Sequence, residues 1–349
     1  DEAETLALQN SAGAIQREMR LQPFQPQLAI EYLHVAPQSM ELGESIEVLA
    51  RPLRHNSMGT SYVQILARLA SAPGFDVAFT HVLDKARESA LTISTSGPIP
   101  VEEEVWAPEV LRLAAVIHFR RGDYTDARQA LVFATSAYDR MAATAPIGAA
   151  SCYKELADCQ FYSNPDIPAP AIASAQHALT LTPDSLAGRR LRNSIHNRLV
   201  DYRLAADEEE EARRLLAKAG VPARLITEEL GLRYRNMCDA ILRRRLGRVL
   251  RLAPGELVPK LKRWLDRAIE LTPDDPAAHF LAADLAFHTD DQITTIAQLK
   301  RALELGLPLE TALQFLRVAR DKKPDHPVLE AFWNLLNSDV GGPVLPVAP

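Results

Sequence analysis

The chain has 349 residues, 47% of them hydrophobic and 24% charged, with a formal net charge of −6. This is the composition of a globular chain long enough for two ordinary domains or one long repeat array, and it excludes a wholly disordered or collagen-like protein. No stretch approaches the roughly 18 uncharged apolar residues that a membrane span needs.

Residues 1–93 read as an N-terminal region of several short helices, with breaks at Pro23–Pro26, Pro37, His55–Gly59 and Pro73-Gly74. Leu91–Thr95 carries the single hint of a strand. Residues 94–108, STSGPIPVEEEVWAP, form a linker by their Ser, Gly and Pro content. Its Glu102, Glu103 and Glu104 read as a solvated run before a helix rather than as paired acids for catalysis. A more regular helical block spans 109–338, and the tail 339–349 reads as extended.

Within the block, Ala and Leu recur at spacings of three and four, the mark of amphipathic helices. Pro108, Pro276 and Pro327 open runs of helical spacing, where a missing N–H costs nothing. Asp275 is placed to cap the helix opened by Pro276, and Thr289–Gln292 reads as a capping box for the next. The three cysteines give an odd count, which argues against a disulfide framework. Cys152 and Cys159 share a helix face, and with Cys238 they read as small buried apolar residues.

Charge divides along the chain. Residues 1–185 carry 13 basic and 22 acidic side chains, residues 186–267 carry 20 and 11, and residues 268–349 carry 6 and 12. The basic middle reads as pairing with acidic neighbours, and it also suits a local acidic ligand. Asp207–Glu211 is the densest acidic run: Asp207 is placed to cap a helix in which Glu209–Arg213 and Glu210–Arg214 sit at i,i+4. The densest basic run puts Arg244, Arg248 and Arg251 on one helix face, a patch for an anionic partner such as an acidic protein segment. Few aromatics interleave with these arginines, which disfavours nucleic acid.

Internal repetition carries the main inference. In Leu111–Ala134 a first helix aligns Leu111, Ala114, Ala115 and His118, Gly122-Asp123-Tyr124 makes a tight turn, and a second helix offers Ala127, Leu131 and Ala134. The ending Leu181-Thr182-Pro183-Asp184, with Ala178 before it, returns as Leu271-Thr272-Pro273-Asp274 after Ala268. A third ending, Ala302 to Gly306, follows Ala268 by 34 residues, with Ala283 and Leu299 as its small and large packing positions. This pattern resembles the tetratricopeptide repeat (TPR), a helical hairpin of about 34 residues. Ala134 to Ala178 is 44 residues, which predicts an insertion near 140–150. Ala178 to Ala268 is 90, which predicts longer or irregular hairpins over 185–255. Residues 309–337 are placed to cap the array with Phe315, Leu316, Leu329, Phe332 and Trp333.

The resemblance implies an all-α fold, a right-handed superhelical α-solenoid of TPR-like hairpins, partly degenerate. It also implies a non-catalytic scaffold or adaptor that binds a partner protein or peptide, acidic if the arginines take part. In that family the groove is lined mainly by the first helix of each hairpin. Carried onto this chain, that points to Arg112, Phe119, Arg120, Gln160, Asn164, Arg243, Phe280, Asp284, Phe287 and His288. On this reading Phe119→Ala or Phe287→Ala weakens partner binding and leaves helicity intact. The family's Lys/Asn clamp for a C-terminal carboxylate has no counterpart here, which argues against a chaperone-tail ligand.

No nucleotide-binding loop, serine elbow, H-E-x-x-H or C-x-x-C is present, so neither a cofactor nor a catalytic set is expected. His279, Asp284 and His288 could meet as metal ligands, but an ordinary polar face accounts for them better. Two further readings stay open: a sensing module cut from a larger regulator, and an all-helical enzyme. The chain begins at Asp1 rather than Met, which suggests a processed or trimmed chain. Localisation is left open by the sequence: cytoplasmic, or periplasmic or exported if Asp1 is a processed N-terminus.

Overall fold

In a computed structural model, the described residues are 2–22, 26–39, 42–50, 70, 74–95, 106–246, 257–324 and 326–332. They are overwhelmingly helical, and no strand occurs among them. None of their helices is long and apolar enough to cross a membrane. Packing divides the chain at Asp207/Glu208 into two units.

The first unit holds nine described helices: α1 (Glu2–Leu21), α2 (Pro26–Ser39), α3 (Leu42–Ala50), α4 (Phe75–Thr95), α5 (Ala107–Arg121), α6 (Tyr124–Met141), α7 (Pro146–Ser163), α8 (Ala169–Leu181) and α9 (Leu186–Ala205). From α4 onward each packs on the next, and α5 packs also on α7, as α7 does on α9. This is the solenoid pattern, in which every first helix touches its own partner and the next first helix. The linker expected at 94–108 does not separate packed units, because α4 packs on α5 and α6 across it. Residues 91–95, the hinted strand, are the last turn of α4, where the Thr95 hydroxyl donates to the Leu91 carbonyl at 2.9 Å. Pro37 breaks nothing, since α2 runs through it to Ser39. The run at Glu102–Glu104 lies outside the described residues.

The turn read from Gly122-Asp123-Tyr124 forms as expected. Gly122 takes φ 75°, and its N–H donates to the Phe119 carbonyl while that of Asp123 donates to His118 at 2.8 Å. This pair of hydrogen bonds closes a helix end only where one residue can be left-handed, hence glycine. Between α6 and α7 the connection is four residues, 142–145. The surplus expected there as an insertion is instead helical, since α6 and α7 each run to 18 residues. Gly148 lets them approach: a Cβ there would stand 2.7 Å from the Tyr138 ring.

The second unit holds α10 (Glu209–Lys218), α11 (Ala223–Leu246), α12 (Leu257–Leu271), α13 (Pro276–His288), α14 (Gln292–Glu304) and α15 (Leu309–Lys322), with residues 327–332 also helical. Helices α11 and α12 pair, as do α13 and α14, and α11 packs on α13. The described part of the stretch expected to be irregular at 185–255, residues 185–246, holds a 20-residue helix, a 10-residue one and a 24-residue one. Ala283, Leu299 and Ala302 are fully buried in one core with Phe287, Phe315 and Phe332. The cap positions Phe315, Leu316, Leu329 and Phe332 belong to or pack on that core, and Trp333 and the tail lie outside the described residues.

The two Leu-Thr-Pro-Asp endings do the same job in both units. The Thr182 hydroxyl donates to the Ala178 carbonyl at 2.8 Å, and the Thr272 hydroxyl donates to that of Ala268 at 2.7 Å. The following proline stops the helix. The next helix is then capped, α9 by Ser185 accepting from Gly188 N–H and α13 by Asp275 accepting from Ala277 N–H, each at 3.0 Å. Elsewhere the capping differs from expectation. Asp291 rather than Thr289 caps α14, accepting from the Thr294 N–H at 3.0 Å. Glu208, not Asp207, sits at the N-cap of α10 and makes no side-chain cap there. Glu209–Arg213 forms at 2.8 Å, whereas Arg214 reaches Glu211 rather than Glu210.

Candidate functional site

The first helices of the two units treat their polar residues in opposite ways. In the first unit they pair internally. Arg112 on α5 has no exposed side-chain surface and donates twice to Glu155 on α7, at 2.7 and 3.1 Å. Burial opposes its charge, yet Glu155 beside it raises the guanidinium above its ordinary value. One turn further along α7, Asp158 accepts from Lys154 at 3.2 Å, from Arg198 at 3.1 Å and from the Tyr202 hydroxyl at 2.7 Å. Burial disfavours that carboxylate, but Arg198 and then Lys154 hold its pKa below the usual range. These pairs close the face of α5, α7 and α9 with satisfied charges.

Arg112 is therefore not open to a partner, contrary to its assignment as a groove residue. Phe119 is buried too, edge-on to Tyr124 at 5.3 Å and Tyr162 at 5.6 Å. Gln160 accepts from the Ser174 hydroxyl at 2.9 Å, which ties α7 to α8. Asn164 closes the end of α7 and Arg120 is exposed at the end of α5, so the first-unit set does not converge.

In the second unit the expected residues do converge. A concave site of about 380 Å³ is lined by Phe280, Asp284, Phe287 and His288 of α13, with Asp239 and Leu242 from α11 and Gln314, Phe315, Val318 and Lys322 from α15. Its size falls in the roughly 300–1,000 Å³ range of ligand sites. The lining comes from α11, α13 and α15, the alternate helices, and not from α12 or α14. Phe315 joins the floor, edge-on to Phe280 at 5.7 Å and to Phe287 at 5.5 Å.

Two titrating groups stand at the wall. Asp284 is 23% exposed, and burial, strengthened by Asp239 and opposed by Lys322, lifts its pKa to about 6. His288 places Nε2 3.5 Å from Asp284 Oδ1, while its Nδ1 is buried without a hydrogen-bond partner. Burial, then Lys322 and Lys323, push the imidazole down to about 4, so it is neutral near pH 7. Lys323 locks the helix ends, donating to the Phe287 carbonyl at 3.3 Å and to Asp290.

Phe287 itself is 1% exposed, so it supports the floor rather than touching a ligand. Truncating it, or Phe119, opens a core cavity costing about 3–5 kcal/mol. His279 stands apart from Asp284 and His288, held by Gln298 at 2.6 Å and the Pro273 carbonyl at 3.0 Å. No group of metal-ligating side chains forms among the described residues. The side chains of Arg243 and Arg244, and all of Arg248 and Arg251, lie outside the described residues. The three cysteines form no disulfide and are buried, as expected.

What the sequence reading missed includes Asp239, Leu242, Gln314, Phe315, Val318 and Lys322 as site residues. The signal for the α15 members was the last first helix, assigned wholly to a cap. No protein-family model matches the chain, and no curated protein matches it.

Proposed function

We propose that the chain is a non-catalytic scaffold or adaptor built from tetratricopeptide-like hairpins, and that it holds a segment of a partner protein in the cleft of its second unit. The observation that carries this reading is the lining of that cleft by α11, α13 and α15 without their hairpin partners. Stacked hairpins leave one face of their first helices uncovered, and a peptide lies along it. The 34-residue interval from Ala268 to Ala302 supports the kinship, as does the shared ending at Ala178–Asp184 and Ala268–Asp274. The cleft offers half-buried Phe280 and exposed Val318 as apolar contacts beside a carboxylate and an ammonium. Apolar anchors with a few fixed polar groups are what peptide recognition requires.

The test is comparative purification of the tagged chain and its Val318→Arg variant from cells that make the protein. Val318 is 45% exposed, so the arginine fills the cleft without disturbing the core. Partners retained by the wild-type chain and lost from the variant support the reading. Partners retained equally by both refute it.

A further inference from the structure

The chain beyond Phe332 carries a pattern that suits the cleft of the second unit. Residues 340–349, VGGPVLPVAP, hold no charged side chain, and Pro343, Pro346 and Pro349 recur every three residues. A polyproline II helix has three residues per turn. In that form the prolines share one edge, and Val344 and Val347 share the next. Such segments are preformed, lose little conformational freedom on binding, and dock in grooves lined by aromatic rings. The cleft presents half-buried Phe280 beside Phe315, with Leu242 and Val318 next to them. Charge does not choose its occupant, since Asp284 and Lys322, of opposite sign, both line it.

Proximity favours this chain's own tail. Phe332 packs against Phe315 at 6.2 Å, and Phe315 against Phe280 at 5.7 Å, so two ring contacts separate the last described residue from the cleft. Residues 333–342 can extend over about 33 Å, well beyond the roughly 10–12 Å width of a helix such as α15 that they have to round. A tether of that length holds its end at an effective concentration of about 1 mM. At that concentration a ligand with a dissociation constant of about 0.1 mM fills its site about nine-tenths of the time.

Resting on the groove reading above, we propose that residues 343–349 occupy this cleft as an internal ligand, which a partner segment displaces. The tail thereby sets the affinity of the site, and removing its contacts strengthens partner binding about tenfold.

The experiment uses the full chain with p-benzoylphenylalanine in place of Ala348, irradiated at low micromolar concentration. Crosslinks within one chain, mapped by mass spectrometry to α13 or α15, are expected, and Val318→Arg is expected to remove them, with circular dichroism confirming that this variant is folded. Crosslinks that map elsewhere, or that survive Val318→Arg, overturn the proposal. The comparative purification then adds Val344→Asp with Val347→Asp, a variant altered only beyond the described residues. At sub-saturating partner levels it is expected to retain about tenfold more of the partners that Val318→Arg loses. Partners lost from Val318→Arg but unchanged in the tail variant overturn the internal ligand and leave the groove reading intact. Crosslinks in the cleft with partners retained equally by wild type and Val318→Arg support the tail as occupant and overturn the groove reading instead.

Discussion

The pairing of Arg112 with Glu155 makes a quantitative prediction about what holds the first unit together. The guanidinium is wholly buried and the carboxylate 5% exposed, joined by two charge-assisted hydrogen bonds. Removing one partner strands the other as a buried charge, which costs about 3–5 kcal/mol. Replacing both by apolar residues of similar size removes the desolvation cost along with the attraction and is neutral, or stabilising by about 1–4 kcal/mol. Glu155→Gln and Arg112→Met should therefore each lower the urea midpoint of this unit by about 1 M or more, given slopes of about 1–3 kcal/mol/M. Arg112→Met with Glu155→Leu should return it close to the wild-type value. Trp106 lies in the first unit and reports its unfolding, once Trp264 and Trp333 are replaced by Phe. Additive losses in the double variant, or a single variant costing less than about 1 kcal/mol, would refute the argument, because coupling of several kcal/mol is what a buried pair requires.

Three further outcomes follow from the same structure. Asp158 has its pKa lowered in the fold, so its stabilisation is present above the unfolded value of about 3.9 and is lost as pH falls through the folded one. Asp158→Asn should thus destabilise the first unit at neutral pH and flatten its acid unfolding below about pH 4, read by the same urea titrations. Asp284 is shifted the other way, to about 6, so its ionisation opposes folding above that pH and is without effect below about 3.9. Discounted for its partial exposure, the penalty is about 1–2 kcal/mol; Asp284→Asn should stabilise the second unit by that much near pH 7 and by nothing near pH 4, measured by Trp264 fluorescence. The opposite contribution of His288 cancels between the two chains. Gly148→Ala should cost about 1–3 kcal/mol in thermal unfolding, because its methyl must displace the fully buried Tyr138 ring.

The fold was legible where its signals are local. Gly122-Asp123-Tyr124 and the two Leu-Thr-Pro-Asp endings act within a few residues of themselves, so their meaning does not depend on distant chain. The basis for the longer repeat was also present, in the 44 residues between Ala134 and Ala178, but a length alone does not say whether surplus residues form a loop or a further helical turn. The structure puts them in α6 and α7. Site residues depend on what covers a face, and that is set by partners remote in sequence. Helix α5 is buried from Ala107 through Ile117 because α3 and α4 pack against it besides α6 and α7. Nothing within Leu111–Arg121 distinguishes such a helix from one with an open groove face.

A discriminating signal does exist, and it lies in charge relations between successive first helices. Arg112 meets Glu155 43 residues on, and Asp158 meets Tyr202 44 residues on, close to the 44-residue interval from Ala134 to Ala178. Complementary groups that recur at the repeat interval consume one another, and the face between them closes. In the second unit the corresponding neighbours, Asp239 on α11 and Asp284 on α13, carry the same sign. Like charges cannot pair, so these two carboxylates do not tie α11 to α13. A polar residue on a first helix is therefore read by its counterpart one repeat away, and opposite sign there marks a structural tie.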